Sequence, residues 1–148
     1  MSSSRNIKSL DDFKAVNDGL GHAAGDAVLV EVARRLRQSV RGYDVVSRFG
    51  GDEFLVLLPQ CRDDVIREVA DRVRRAFEPP MVLSGGTVCV TVCVGAAVSA
   101  GDDDFSRIVE VADAAMYTAK QAGGNRYAVA ARPYRTGASR RPVIFDGR

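Results

Sequence analysis

The chain reads VVSRFGGDEFLVLLP from residue 45 to residue 59, and this stretch carries the clearest structural signal in the sequence. Two short apolar runs, 45–49 and 54–58, flank a pair of glycines and a pair of acids. Glycine adopts turn conformations that other residues avoid, so this pattern predicts a β-hairpin. Pro59 ends the second run, because proline cannot donate to a sheet ladder. Phe49 and Phe54 are expected to anchor the two strands in the core.

The segments around this hairpin predict helices and further strands. Apolar residues recur at helical spacing in three segments, 26–40, 63–77 and 105–122. The β-branched run 87–98 predicts one buried strand, and 127–129 predicts a short last strand. This order of elements predicts an α/β or α+β fold, in which helices flank a sheet.

Length, composition and charge are typical of a single soluble domain. The chain has 148 residues, and we predict that the domain covers 10–130. Residues 131–148 are polar, lack periodicity and are predicted to form a disordered basic tail. Five arginines and one aspartate fall in this tail, so the total charge of +2 leaves about −2 for the rest of the chain. A mildly acidic fold argues against nucleic acid as a partner.

The sequence also argues against a membrane segment, a disulfide framework and a zinc site. No apolar run approaches the roughly 20 residues that span a bilayer, so a cytoplasmic location is expected. The cysteines are Cys61, Cys89 and Cys93, and they form no C-x-x-C pair. Cys89 and Cys93 lie in an apolar run and are predicted to be small core residues. His22 has no second histidine with which to hold a metal.

The tip of the hairpin carries the strongest chemical signal. Asp52 and Glu53 follow the glycines directly, so their carboxylates can share a hard cation. Mg²⁺ takes oxygen ligands together with substrate phosphates, which makes the tip a candidate magnesium and nucleotide site. Gly50 and Gly51 would let a bulky ligand approach the main chain. The alternative is a surface turn in which the two acids are merely solvated.

Residues 12–26 supply a second group of candidates. Asn17 and Asp26 offer donors and an acceptor that suit the edge of a purine. Exposed main-chain N–H groups near Phe13 and Lys14 could meet phosphates. Such residues also cap helices frequently, and Asp26 stands where the cap of the predicted helix 26–40 belongs. Both interpretations stay open from these residues alone.

Taken together, these motifs resemble the GGDEF domain of diguanylate cyclases. The family pattern reads D-x-D-x-F-K-x-x-N-D, then G-H-x-x-G-D, R-x-x-D and G-G-D-E-F, and residues 10–59 follow most of it. Residues 112–127 resemble the closing helix and strand of the family. The resemblance covers nearly everything from Leu10 to about Val129. It implies a nucleotidyl-cyclase-like sheet that contains antiparallel strands and is flanked by helices.

The resemblance implies a magnesium-dependent nucleotidyltransferase of bacterial signalling. Family members condense two GTP molecules into cyclic di-GMP as a homodimer, with one GTP and two Mg²⁺ ions per subunit. By position, Asp52 and Glu53 would be the catalytic acids, and Asp52, Glu53 and Leu10 would form the metal set. Asn17 and Asp26 would bind guanine. The other implied substrate-binding residues are Phe13, Lys14, Gly50, Gly51 and Lys120.

A second site is implied just before the hairpin. Arg41 and Asp44 match the R-x-x-D inhibitory site of the family, and Arg72 matches a further arginine of that site. These residues would hold the product, cyclic di-GMP, since an arginine fork suits both guanine and phosphate. The alternative for Arg41 and Asp44 is an ordinary loop ion pair, worth at most about 1 kcal/mol.

Three departures from the family pattern are expected to impair the chemistry. Ser9 stands where the family has its first metal-binding aspartate, so one Mg²⁺ or none is expected here. Gly124 stands where the family has a phosphate-contacting arginine. The family's opening helix and first, central strand are missing, so the domain is expected to be truncated at its N-terminus. Residues 1–9 are then non-native, and residues 1–10 are expected either to act as a makeshift strand or to leave the domain unstable.

Three functions remain open from the sequence. The first is an impaired diguanylate cyclase, and the second is an inactive module that binds GTP or cyclic di-GMP. The third is a remnant with no small-molecule function.

Overall fold

The computed structural model describes residues 5–7, 13–99, 104–130 and 142–146. None of the described helices is long and apolar enough to cross a membrane. In chain order the elements are β1 (Arg5–Ile7), α1 (Phe13–Leu20), α2 (His22–Ser39), β2 (Val45–Gly50), β3 (Glu53–Leu57), α3 (Asp63–Arg75), β4 (Met81–Leu83), β5 (Gly86–Val90), β6 (Val94–Val98), α4 (Phe105–Gln121), β7 (Tyr127–Val129) and β8 (Pro142–Asp146).

The strands form two sheets. The main sheet has five strands in the order β2-β3-β8-β6-β7, and the small sheet has three in the order β1-β5-β4. Within the main sheet all neighbours are antiparallel except β6 and β7, which are parallel. The predicted hairpin is confirmed as β2 and β3. Helices around a sheet with antiparallel strands confirm the predicted α/β (α+β) class.

Apolar side chains cover both faces of the main sheet. One face packs on α2 and α3, in what we call the α2/α3 core, whose members include Val32, Leu36, Phe54, Val56, Val69 and Val73. The other face packs on α4, in the α4 core, which consists of Leu55, Cys93, Ala97, Ile108, Ala112 and Met116. Successive residues of a strand point to opposite faces, so β3 is a wall of both cores. This double support fixes the base of the hairpin.

A buried arginine fastens α2 to the segment that follows α3. The side chain of Arg35 is only 9% exposed and pairs with Glu31 at 2.8 Å. Its guanidinium also donates to the main-chain oxygens of Ala76, Pro79 and Pro80 at 3.1, 2.6 and 3.0 Å. These bonds satisfy a charge that would be costly to bury alone. They also set the spacing between α2 and α3.

The predicted helices are confirmed, but two predictions about element boundaries are wrong. α2 begins at His22, after Gly21 with a φ of 88°, so Asp26 lies inside the helix and does not cap it. The run 87–98 is not one strand, because β5 and β6 belong to different sheets. Val88 and Val90 of β5 are buried, as are most residues of β6 and Val92 and Cys93 between the strands, so the apolar pattern continues across the break. α1 and β4 were not predicted.

The two ends of the chain also differ from expectation. Residues 142–146 were assigned to a disordered tail, yet they form β8 at the centre of the main sheet, while 131–141 lie outside the described residues. Residues 5–7 do form a strand, but it pairs with β5 in the small sheet. The main sheet thus includes a strand from the C-terminal segment, which lies beyond the domain boundary expected at residue 130.

Candidate functional site

The tip of the hairpin is a two-residue turn. Gly51 and Asp52 form the turn, and Gly50 faces Glu53 in the register of β2 and β3. The Nε of Arg48 donates to the main-chain oxygen of Gly51 at 2.8 Å and closes the turn. The side chains of Asp52 and Glu53 are both half-buried. Two consecutive carboxylates therefore lie at the end of a hairpin whose turn is held by Arg48.

Of the two phenylalanines beside this turn, only one is buried. Phe54 is 3% exposed, whereas Phe49 is 53% exposed. The prediction that both anchor the hairpin is therefore wrong for Phe49. β2 is an edge strand of the main sheet, and its register shifts between Arg48 and Gly50, so Phe49 stands at an irregular edge position. The tip is anchored mainly through β3.

The predicted guanine-binding residues meet where α1 crosses α2. A Cβ atom added to Gly25 would overlap the Oδ1 of Asn17, so glycine leaves the room that this amide occupies. The main-chain oxygen of Asn17 accepts a hydrogen bond from the N–H of Gly21 at 2.9 Å. Asp26 follows Gly25 directly and is exposed. Asn17 and Asp26 thus lie at neighbouring positions of one helix junction.

The predicted phosphate-binding residues lie on two different helices. Phe13 and Lys14 are the first two residues of α1. The first N–H groups of a helix lack intrahelical partners and attract anions, so this main chain is suited to phosphate. Lys120 lies on α4, where it lines a cavity of about 310 Å³ together with Tyr117 and Gln121.

The loop from α2 to β2 is held by Asp44, which is 5% exposed. Its Oδ2 accepts a hydrogen bond from the main-chain N–H of Arg41 at 2.7 Å, and its main-chain oxygen accepts one from Arg37 at 2.8 Å. The guanidinium of Arg41 instead donates to the hydroxyl of Tyr43 at 2.6 Å. The carboxylate of Asp44 therefore shapes the loop and leaves the Arg41 side chain exposed at its surface.

Arg41 and Arg72 line one cavity of about 370 Å³ between this loop and α3. The Nε of Arg72 donates to the main-chain oxygen of Ser39 at 2.7 Å, which holds the arginine against the end of α2. The Nη1 of Arg72 is 3.9 Å from the carboxylate of Glu68, a weak and exposed ion pair. The structure therefore brings together the two arginines of the predicted inhibitory site. The carboxylate of Asp44 is turned to the loop itself.

The donor set at the hairpin tip suits a hard cation. Asp52 and Glu53 provide carboxylate oxygens, which Mg²⁺ prefers. Among the described residues, no group of three or more His, Cys, Asp or Glu side chains could hold a metal ion. Ser9 and Leu10 lie outside the described residues. Of the described side chains, Asp52 and Glu53 are therefore the pair that would hold Mg²⁺ at the tip, together with phosphate and water.

Comparison with known proteins identifies the family. The family model for "Diguanylate cyclase, GGDEF domain" matches residues 7–126. The chain belongs to the GGDEF domain family. Diguanylate cyclase DosC of Escherichia coli K12 is 35% identical over 122 residues, which are 81% of this chain and 26% of that protein. Diguanylate cyclase DgcP of Pseudomonas aeruginosa is 38% identical over 84% of this chain and 19% of its own length. This GGDEF domain thus spans about a quarter or less of these relatives.

Solved GGDEF domains have the same fold. The GGDEF domain of YfiN from Pseudomonas aeruginosa superposes with a TM-score of 0.73 and is 38% identical, covering 83% of this chain and 78% of that one. The GGDEF domain of DgcB from Caulobacter crescentus, solved in complex with c-di-GMP, has a TM-score of 0.73 and 28% identity. That match covers 80% of this chain and 72% of the DgcB chain.

Sequence reasoning missed three residues that shape these sites. Gly25 makes room for Asn17, Tyr43 receives the guanidinium of Arg41, and Arg37 holds the loop through Asp44. A glycine inside a helix often marks a close contact, but Gly25 comes just before the predicted helix 26–40, so this signal was not visible in the sequence. Tyr43 and Arg37 gave no signal either, because their partners depend on how the loop folds.

Proposed function

We propose that this GGDEF domain binds GTP with Mg²⁺ at the Gly51–Asp52 turn and, as a homodimer, condenses two GTP molecules to cyclic di-GMP, with release of two pyrophosphates, at a reduced rate. The observation that carries this proposal is the pair of consecutive, half-buried carboxylates of Asp52 and Glu53 at a braced hairpin tip. Family membership supports the reaction. The proposal places the domain in the bacterial cytoplasm, where GTP and Mg²⁺ are available.

Each group of residues has a role in this reaction. Asp52 and Glu53 hold the cation, and Leu10 can add only a main-chain oxygen. The bound Mg²⁺ supplies positive charge that offsets the charge of the phosphates. The first main-chain N–H groups of α1, at Phe13 and Lys14, bind phosphate oxygens. Asn17 and Asp26 bind guanine, and Lys120 binds phosphate. Gly50 and Gly51 let the nucleotide approach the main chain closely.

The rate is reduced because two charges of the family pattern are missing. Ser9 offers a neutral hydroxyl where a carboxylate would hold a second cation. Gly124 has a φ of 72°, which an arginine adopts only with strain, so a Gly124→Arg change would distort the turn as well as add a charge. Ser9→Asp is therefore the cleaner repair.

The decisive experiment is incubation of the full chain with GTP and Mg²⁺, followed by chromatography for cyclic di-GMP. We expect slow product formation that Ser9→Asp accelerates at least tenfold and Glu53→Gln abolishes. Glu78→Gln, an exposed change three residues after α3, serves as the control with an unchanged rate. No product from either the natural chain or Ser9→Asp would contradict the cyclase proposal. Because each product molecule needs two subunits, the rate should rise with the square of the chain concentration at high dilution.

A second candidate function has its own observation. Arg41 and Arg72 share a cavity of about 370 Å³, which is large enough for part of a cyclic dinucleotide, so the domain would bind cyclic di-GMP there even without turnover. Titration calorimetry with cyclic di-GMP tests this function. Arg41→Ala should weaken binding at least tenfold, whereas Arg62→Ala, which removes another exposed guanidinium just before α3, should leave it unchanged. Equal affinity of both variants would exclude the Arg41 site.

A further inference from the structure

The last strand of the chain lies between two strands that precede it. β8 pairs with β3 from Phe54↔Asp146 to Leu57↔Val143, and with β6 from Val94↔Asp146 to Val98↔Pro142. β8 follows β7 after 12 residues, 130–141, so it is the last of the described strands of the main sheet in chain order.

We call the space that β8 fills between β3 and β6 the slot, and these two strands its walls. Both walls are also held by other elements. β3 is paired on its other side with β2, and β6 is paired on its other side with β7. Phe54 and Val56 of β3 share the α2/α3 core with Val94 and Ala96 of β6, so helices bridge the two walls. α4 packs closely on β6 at Gly95. If β8 were withdrawn, β3 and β6 would keep their positions, and the main-chain groups along their facing edges would lose their hydrogen-bond partners.

Such a slot demands a strand, because unpaired buried N–H and C=O groups are costly. It also restricts which segment fits. The occupant must be extended, antiparallel to both walls and apolar in the middle, as Val143, Ile144 and Phe145 are in sequence. Pro142 stands at the first position of β8 and is paired only with Val98, beyond the end of β3, where a missing N–H is tolerated.

We propose that the slot between β3 and β6 is a strand-binding site that the chain fills in cis with residues 142–146, and that this segment exchanges with an extended apolar peptide of the same kind. The binding mode is β-strand addition, with main-chain hydrogen bonds on both sides of the guest. The tethered segment competes at an effective concentration in the millimolar range, so an added peptide binds well only when the tethered strand is disabled. This inference goes beyond the proposed function and does not rest on it.

Disulfide trapping tests the cis arrangement in the full chain. Val143 is in register with Ala97, and directly paired antiparallel residues have Cα atoms about 4.5–5.5 Å apart, within the range of a disulfide. The double variant Ala97→Cys and Val143→Cys should form a cross-link within one chain, mapped by mass spectrometry after mild oxidation. The matched control, Ala97→Cys with Ile144→Cys, is out of register by one residue and should not. A cross-link in the control but not in the test pair, or one that joins two chains, would overturn the proposal.

Peptide rescue tests the exchange. Ile144 lies at the middle of β8, in register with both Val56 and Ala96, so Ile144→Pro removes a main-chain donor from the centre of the sheet. A peptide with the sequence of residues 140–148 should raise the melting temperature of Ile144→Pro by several degrees and leave the natural chain unchanged. The same peptide carrying proline at the Ile144 position is the matched control. No rescue of Ile144→Pro, or equal rescue by the proline peptide, would overturn the exchange.

Discussion

At the scale of single residues, the site depends on small side chains as much as on charged ones. Asp52 and Glu53 could be singled out from the sequence, because two acids after two glycines form a local motif. The position of Asn17 could not, since it follows from the crossing of α1 and α2, and the eight residues of α1 were not predicted as a helix. Gly25 shows the difference: its role exists only once the two helices meet.

Gly25→Ala should displace the amide of Asn17 and weaken GTP binding. The added methyl would occupy the place of the Asn17 Oδ1, and the side chain of Asn17 can give way only by leaving its position. Alanine is also more favourable than glycine in a helix by about 1 kcal/mol. This gain opposes the cost of displacing Asn17, so the thermal stability should change little. We expect at least a tenfold loss of affinity for a non-hydrolysable GTP analogue with Mg²⁺ in titration calorimetry.

The control for Gly25→Ala is Gly42→Ala in the loop before β2. A Cβ atom added to Gly42 meets no atom within 4 Å, so this variant should bind the analogue like the natural chain. Undiminished binding by Gly25→Ala would mean that Asn17 does not contact the nucleotide.

At the scale of elements, the helices could be predicted and the sheet order could not. α2, α3 and α4 each bury one apolar face, so their period is visible in the sequence. The break between β5 and β6 was hidden, because Val90, Val92 and Cys93 are buried on both sides of it. The place of β8 was also hidden, because pairing between distant segments leaves no local pattern.

The charges on α2 predict a pH dependence of stability. Hydrogen bonds from Arg34 and Arg35 lower the pKa of Glu31 from 4.5 to about 2. A carboxylate with a lowered pKa in the folded state contributes stability that is fully present above its ordinary pKa and is lost as the pH falls toward the folded value. The contribution of Glu31 should therefore fade between about pH 5 and pH 2.

Glu31→Gln measures this contribution. At pH 7 the variant should lose about 1–2 kcal/mol of unfolding free energy, less than the full shift implies, because the side chain is 23% exposed and the pair is screened by water. In urea unfolding, the difference in unfolding free energy between the variant and the natural chain should shrink as the pH is lowered from 5 to 3. Glu110→Gln, an exposed change on α4, is the control. A gap that stays constant with pH would show that packing, not charge, explains the loss.

At the scale of the whole molecule, one strand joins two cores. Leu55 is 4% exposed in the α4 core, and the next residue, Val56, is fully buried in the α2/α3 core. Alternation along a strand could be predicted from the sequence for a sheet covered on both faces, since the run 54–58 is apolar without interruption. Which helix covers which face could not, because it depends on the crossover connections.

The shared wall predicts a single unfolding transition. If β3 couples the two cores, damage to either face should destabilise the whole domain, because neither core can keep its wall when the other is lost. Leu55→Ala should cost about 2–5 kcal/mol and Val56→Ala somewhat less, from lost contacts and the cavities left behind. Circular dichroism and hydrogen exchange of α2 and α4 should then report one common midpoint in both variants.

Val82→Ala, at a side chain that is 84% exposed, should stay within about 0.5 kcal/mol of the natural chain. Separate midpoints for α2 and α4 would mean that the two faces of the sheet fold independently, and that the hairpin tip is held by one core alone.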